Sequence, residues 1–247
     1  MSARMALVKG NALAVFLHVD GTLLEFAATP ERVRVPASLR NTLQLALRRE
    51  QGAVALLSGR SLDELDELFG FDGFPASAKH GLEVRLPSRE VVRAKIDSAR
   101  LDPARRWLAM LPREHRGLLL EDKGVAIAVH FRMVPRLQAE IESIMSGILE
   151  ELGADFALRR GKCVLEIAPR GFDERSAIQM FMRQKEFIGR TPVFVGNAPS
   201  DEVAFEAVNE MGGHSIRVGN LDQTSARYRF STVSTVAAWL RDRNLNR

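Results

Sequence analysis

The apolar positions near the start of the chain come in unbroken blocks. Leu13–Leu17 reads Leu-Ala-Val-Phe-Leu, with Gly10 and Asn11 before it and Asp20 and Gly21 after it. "GAVALLSG" at 52–59 has the same form, as do "TPVFVGN" at 191–197 and "HSIRVG" at 214–219. A short apolar run between turn formers predicts a strand buried on both faces. Helical periods lie between these runs. "PASLRNTLQLALRRE" places Leu39, Leu43 and Leu47 on one stripe, with Ser38 as the expected N-cap. "SLDELDELFG" predicts a short helix capped by Ser61, with Glu64 three residues on and Gly70 as its stop. "SDEVAFEAVNEMGG" predicts a third helix, directly after the 191–197 strand. Strands alternating with amphipathic helices predict an α/β fold, a parallel sheet covered on both faces.

The middle of the chain has a different pattern. "LEVRLPSREVVRAK" and "GLLLEDKGVAIAVHFRM" alternate apolar and polar residues, as strands with one wet face do. "RLQAEIESIMSGILEELG" reads as a helix and "FALRRGKCVLEIAP" again as strand. The expected organisation is a core of residues 1–84 and 169–247 interrupted by an α+β insert, 85–168. No internal repeat or low-complexity tract is present.

Composition narrows the function classes. The 247 residues are 46% hydrophobic and 27% charged, as in ordinary globular proteins. No run of about 18 apolar residues exists, so no membrane span or membrane partner is expected. Lys9, Gly10 and Asn11 interrupt what resembles a signal peptide. A single cysteine, Cys163, leaves no internal disulfide. A cytoplasmic protein is the expectation. The net charge of +4 is spread among acids and aromatics are 6%, which argues against nucleic acid as a partner.

Three predicted strands end in polar residues. "DGT" at 20–22, "SGR" at 58–60 and "NAPSDE" at 197–202 sit where ligands bind in open α/β sheets, beyond the carboxyl ends of strands. Ser58 is suited to donate to a phosphate oxygen, and Gly59 to close backbone approach.

A longer set of segments carries a family likeness: "FLHVDGTLLEF", "LLSGRSLDEL", "AKHGLEVR", "EDKGVAIAVHFR", "GKCVLEIAPRGFDERSAI", "PVFVGNAPSDEVAFEAVN" and "GGHSIRVG". In order and spacing the chain resembles the haloacid-dehalogenase-like phosphatases and, within them, the trehalose-6-phosphate phosphatases. The resemblance implies a doubly wound core with an inserted cap that closes over the cleft. It implies two-step phosphoryl transfer, in which an aspartate attacks phosphorus and water then hydrolyses the aspartyl-phosphate. By position, Asp20 matches the general acid/base and Ser58 the phosphate-binding serine. The family's Mg²⁺ would fall to Asp20, Asn197 and Asp201.

The chain departs from that pattern at four positions. His18 stands at the nucleophile, Glu174 at the phosphate-binding lysine, and Asn197 and Ala198 at two aspartates. Fewer carboxylates leave Mg²⁺ weakly held or absent. Glu174 places negative charge where phosphate needs neutralising. Arg175 or Arg170 is a candidate to replace the lysine.

The substrate-gripping segments keep the family's residue types. Glu121, Lys123, His130, Arg132, Lys162 and Glu166 are the expected cap contacts, with 121 and 123, 130 and 132, and 162 and 166 sharing strand faces. Thr22, Gly59, Arg60, His80 and Gly81 complete the expected substrate-binding set; His80, Gly81 and Glu83 match one family segment. His115 and His214 are expected at the surface or in structural roles, and Trp107 and Trp239 in packing. The expected ligand is trehalose 6-phosphate or a related sugar phosphate, with a protein partner also in prospect. The leading reading is a catalytically dead or strongly impaired member in a binding or regulatory role. The alternatives are an active phosphomonoester hydrolase with altered chemistry, and a pure interaction module.

Overall fold

A computed structural model describes residues 12–25, 33–71, 73–161, 163–220 and 223–245. The first apolar block forms β1 (Leu13–His18), buried along its whole length. It lies parallel between β2 (Val54–Leu57) and β10 (Thr191–Gly196). β3 (Ala76–Ala78) continues the parallel sheet beyond β2, and β11 (His214–Val218) and β12 (Tyr228–Phe230) continue it beyond β10. β4 (Glu83–Arg85) and β5 (Val91–Arg93) then add antiparallel at the β3 edge. Among the described residues the order is β12-β11-β10-β1-β2-β3-β4-β5.

Burial of β1 on both faces follows from its neighbours. Leu13, Val15 and Leu17 join one apolar cluster with Leu39 and Leu43 of α1 (Ala37–Arg49), Leu65 of α2 (Leu62–Phe69) and Leu240 of α8 (Val233–Leu245). Ala14 and Phe16 join a second cluster with Ile178 and Phe181 of α6 (Glu174–Met182) and Phe205 of α7 (Glu202–Glu210). Helices therefore cover both faces. The direction of winding reverses between β1 and β10, and the ends of these two strands form the crevice where such folds bind ligands.

The chain separates into two compact units, 1–93 with 172–197 and 201–247, and 94–171 with 198–200. The break falls at 93/94, where sequence reading put it at 84/85. The segment 82–93 pairs on the larger sheet because a tight turn at Lys79–Gly81 returns β4 directly against β3. Arg85 ties that edge down, donating two hydrogen bonds of 2.6 Å to Asp66 and one to the Phe74 carbonyl.

The second unit holds β6 (Leu119–Asp122), β7 (Ile127–His130), β8 (Phe156–Gly161) and β9 (Val164–Pro169), antiparallel in the order β6-β7-β9-β8. Ile127, Val129, Leu165 and Ile167 face an apolar cluster with α3 (Asp102–Leu108), α4 (Leu111–Glu114) and α5 (Gln138–Leu152). Ala128, His130 and Glu166 alternate to the other face.

Local signals were read correctly at α2, where Ser61 and Glu64 form a capping box and Gly70 adopts a left-handed C-cap. At α1 the cap is Pro36, not Ser38, and the Ser38 carbonyl instead accepts the Thr42 hydroxyl inside the helix. Trp239 is buried against Phe230, whereas Trp107 is 53% exposed and does not serve packing as expected. No helix among the described residues is long and apolar enough to cross a membrane.

Phe16 is fully buried, its ring 5.9 Å from that of Phe181 and 5.5 Å from that of Phe187. Phe16→Ala is expected to cost about 3–5 kcal/mol in urea unfolding, and a loss below about 1 kcal/mol would show that this layer repacks.

Candidate functional site

The end of β1 carries His18 into a buried position. Its Nδ1–H donates to Asp201 Oδ2 at 2.8 Å, and Asp201 is fully buried. The same carboxylate oxygen accepts the Asn197 backbone N–H at 2.7 Å. Gly196 makes room for it: a Cβ there would lie 2.6 Å from Asp201 Oδ2. Asp201 also immediately precedes α7, where helix-terminal N–H groups favour negative charge. Burial opposes the charged form of His18. The charge and hydrogen bond of Asp201, with the charges of Glu174 and Asp20, outweigh it and raise the imidazole to about 9. His18 is therefore an imidazolium at neutral pH.

Asp20, two residues on, is held by a second cation. Arg60 Nε and Nη2 donate to its two oxygens at 2.8 Å each, a bidentate pair. Ser58 lies at the neighbouring strand end, since His18 pairs with Leu57 across β1 and β2. Its Oγ accepts the Arg60 backbone N–H at 3.1 Å. Thr22 is buried, and its hydroxyl donates to Asn197 Oδ1 at 3.1 Å.

Glu174 begins α6 after the Asp173 cap and is buried. Its Oε1 accepts from His80 Nδ1 at 2.7 Å. His80 reaches it from a turn in which Lys79, His80 and Gly81 all have positive φ, of 47°, 53° and 93°. The turn is fastened by the His80 N–H to the Ser58 carbonyl and the Lys79 N–H to the Arg60 carbonyl. Gly59 leaves space for the His80 ring, because a Cβ there would lie 2.5 Å from Nε2. Gly81 is similarly placed against the Asp173 backbone. Arg175 pairs with Glu206 and Glu210 of α7, and Arg170 donates to the carbonyls of Ala154 and Phe156. Both arginines are thus engaged by partners other than Glu174.

Sequence reasoning missed Arg217. It is buried on β11, donating to the Asn197 carbonyl at 2.7 Å and to Glu202 Oε1 at 2.9 Å, and so anchors the 197–202 segment. Its signal was a charge inside an otherwise apolar strand.

In the second unit, Glu121, Ala128, Glu166 and Arg159 form one row across β6, β7, β9 and β8. Glu166 is buried; Lys123 Nζ donates to it at 2.6 Å and Arg159 Nη1 at 3.4 Å. Glu121 accepts from His130 at 2.8 Å, with Lys123 Nζ 3.9 Å away. Arg159 was not anticipated. Lys123 falls just past the end of β6, yet meets the row. Arg132 does not share a strand face with His130, because β7 ends at His130 and Arg132 lies in the exposed turn that follows. Lys162 lies outside the described residues. His115 is 3.6 Å from Glu140, and His214 packs edge-on against Tyr228.

Residues 16–234 match the trehalose-phosphatase family. The chain belongs to that family. It is 40% identical over 206 residues to a probable trehalose-phosphate phosphatase of Sinorhizobium fredii, covering 83% of this chain and 77% of that one. It is 37% identical over 227 residues to the trehalose-6-phosphate phosphatase of Escherichia coli, covering 92% and 85%. The fold is that of the C-terminal domain of C. albicans trehalose-6-phosphate phosphatase, with a TM-score of 0.84 at 18% identity over 95% of this chain and 92% of that one. Trehalose 6-phosphate is the substrate of the trehalose-phosphatases, and haloacid-dehalogenase-like phosphatases generally use Mg²⁺. This member carries the same doubly wound core.

The raised His18 value has a stability consequence. An imidazole that titrates at 6.5 when unfolded and about 9 when folded stabilises fully below 6.5, and that contribution is lost as pH rises through 9. It amounts to something on the order of 3 kcal/mol. Urea unfolding of the wild type should weaken over that window, and His18→Gln should lack the weakening. An equal pH slope in both proteins would refute the assignment.

Proposed function

We propose that this trehalose-phosphatase is a sugar-phosphate-binding protein in a regulatory role, with a catalytic centre that is dead or strongly impaired. The observation that carries the reading is the His18–Asp201 pair, 2.8 Å long and buried. By the family resemblance, position 18 belongs to the attacking carboxylate. A protonated imidazole has no lone pair with which to attack phosphorus. Loss of a nucleophile costs on the order of a million-fold in an unrelated hydrolase.

The surrounding charges support the same reading. Glu174, at the position of the phosphate-binding lysine, is an acid engaged with His80. The donor set does not fit Mg²⁺, which needs several free hard oxygens. Both oxygens of Asp20 accept from Arg60, Asp201 Oδ2 accepts from His18 and Asn197, and Asn197 Oδ1 accepts from Thr22. Among the described residues no group of three or more His, Cys, Asp and Glu side chains converges as a metal site does.

What supports retained binding is the second unit's row of carboxylates and cations. Glu121 and Glu166 offer acceptors to sugar hydroxyls, while Lys123, Arg159 and His130 hold them in place. A cytoplasmic location belongs to the same proposal, in keeping with a single cysteine. A protein partner would follow from a regulatory role.

Phosphate release from trehalose 6-phosphate, assayed with Mg²⁺, separates this reading from an active hydrolase. The wild type should be at background. A combined His18→Asp, Glu174→Lys, Asn197→Asp, Ala198→Asp variant should gain release by at least about a hundred-fold, since each change restores a catalytic charge. Robust wild-type release, abolished by His18→Ala, would overturn the proposal.

A further inference from the structure

Strand pairing places Glu121, Glu166 and Arg159 in the row of the second unit, but it does not place Lys123, because β6 ends at Asp122. Lys123 still delivers its Nζ to within 2.6 Å of Glu166 and 3.9 Å of Glu121, on a side chain only 9% exposed. A long flexible stem on a turn keeps one direction only when the backbone beneath it is fixed. Part of that fixing is internal to the hairpin: the Lys123 N–H donates to the Ala126 carbonyl, and the Lys123 carbonyl accepts the Val125 N–H. The rest comes from α3.

Arg105 of α3 grips the residue on each side of Lys123. Its Nε and Nη2 donate to the two oxygens of Asp122, at 2.9 and 3.5 Å, and Nη2 donates also to the Gly124 carbonyl. Asp122 accepts the Gly124 N–H at 2.9 Å, which closes a ring of bonds around the Lys123 backbone. Nη1 donates to Asp102 at 2.6 Å and to the Ser98 carbonyl at 2.8 Å, so every N–H of the guanidinium is used. The root of Arg105 is fixed too, since its helix neighbours Ala104 and Leu108 are buried in the apolar cluster that holds Leu165 and Ile167. Asp122 lies on the Leu118 and Leu120 side of β6, toward that cluster, while Glu121 and Lys123 face the row. Arg105 therefore holds the hairpin from the face opposite the row.

We infer that Arg105 is a positioning residue for sugar-phosphate recognition: by holding Asp122 and Gly124 it sets Lys123 against Glu166 and Glu121, and so fixes the directions in which those carboxylates accept. This rests on the sugar-phosphate-binding reading above and names a residue outside the row that keeps the row in order. Polar groups ordered in advance by such support cost less to order when a ligand arrives. The guanidinium is needed as such. A lysine ammonium is a compact donor and cannot span Asp122 and Gly124 while also holding Asp102 and Ser98.

Calorimetric titration of the full chain with trehalose 6-phosphate tests the role through a double-mutant cycle. Arg105→Ala and Lys123→Ala should each weaken binding by about five-fold or more, and the double variant by no more than about two-fold beyond Lys123→Ala, because one residue acts through the other. Arg105→Lys keeps the charge and should bind as weakly as Arg105→Ala. Asp122→Asn removes the charged half of the grip and should weaken binding by about two-fold or more; it decides the matter if Arg105→Ala does not fold. Nitrogen-15 NMR of the lysine ammonium groups adds a reading without ligand. The Lys123 signal, assigned by substitution, should move toward those of exposed lysines in Arg105→Ala and Asp122→Asn, while that of exposed Lys185 stays in place. Additive losses, wild-type affinity in the folded Arg105 variants or in Asp122→Asn, or an unmoved Lys123 signal would overturn the inference and leave the sugar-phosphate reading standing. Absence of binding by the wild type would remove that reading, and this role with it.

Discussion

Asp201 is an acid with no exposed surface, in the short turn after β10 and at the start of a helix. A carboxylate at that depth is tolerated only with a compensating charge and hydrogen bonds. The chain supplies both from close by: the His18 ring at 2.8 Å and the Asn197 amide at 2.7 Å. His18 cannot move far, since β1 is buried between β2 and β10 and wedged between two apolar clusters. The imidazole is therefore positioned by the central strand, and Asp201 by the turn that leads into α7. Removing His18 leaves Asp201 buried without its counter-charge, and removing Asp201 takes away the main support for a charged imidazole.

The same logic repeats around it. Asp20 is clasped by Arg60, Glu174 by His80, and Glu202 by Arg217, Thr224 and the Ser225 amide. These links join segments far apart in sequence into one set of fixed charges. Within that set the imidazole at 18 comes with an engaged Asp201, and the acid at 174 with an engaged His80. The second unit is organised likewise around buried Glu166, which Lys123 and Arg159 share. Charges held in place in advance cost little further ordering when a polar ligand arrives.

The fold was legible where the physics is local. Apolar runs too short for a helix and bounded by turn formers read as buried strands, and the Ser61–Glu64 box marks its own helix start. The segment 82–93 was not legible in the same way. An alternating strand pattern looks identical whether it extends a large sheet or begins a new one, and the deciding feature is the positive-φ turn at Lys79–Gly81. Ser38 was misread because Pro36 begins the helix first. In the candidate site, His18 and Asp201 were each picked out, but 183 residues separate them, and no periodicity reports their contact. The His80–Glu174 pair is hidden for the same reason. Arg217 and Arg159 sit in strands whose pattern explains their burial only after the partners are known.

The central claim is that His18 is a fixed imidazolium, bonded through Nδ1 to Asp201. Nitrogen-15 NMR of the histidine rings, with His18 assigned by substitution, reads this directly. The account predicts that both ring nitrogens of His18 are protonated at pH 7 and that the ring titrates near 9. A neutral His18 at pH 7, in either tautomer and titrating near 6.5, would contradict it.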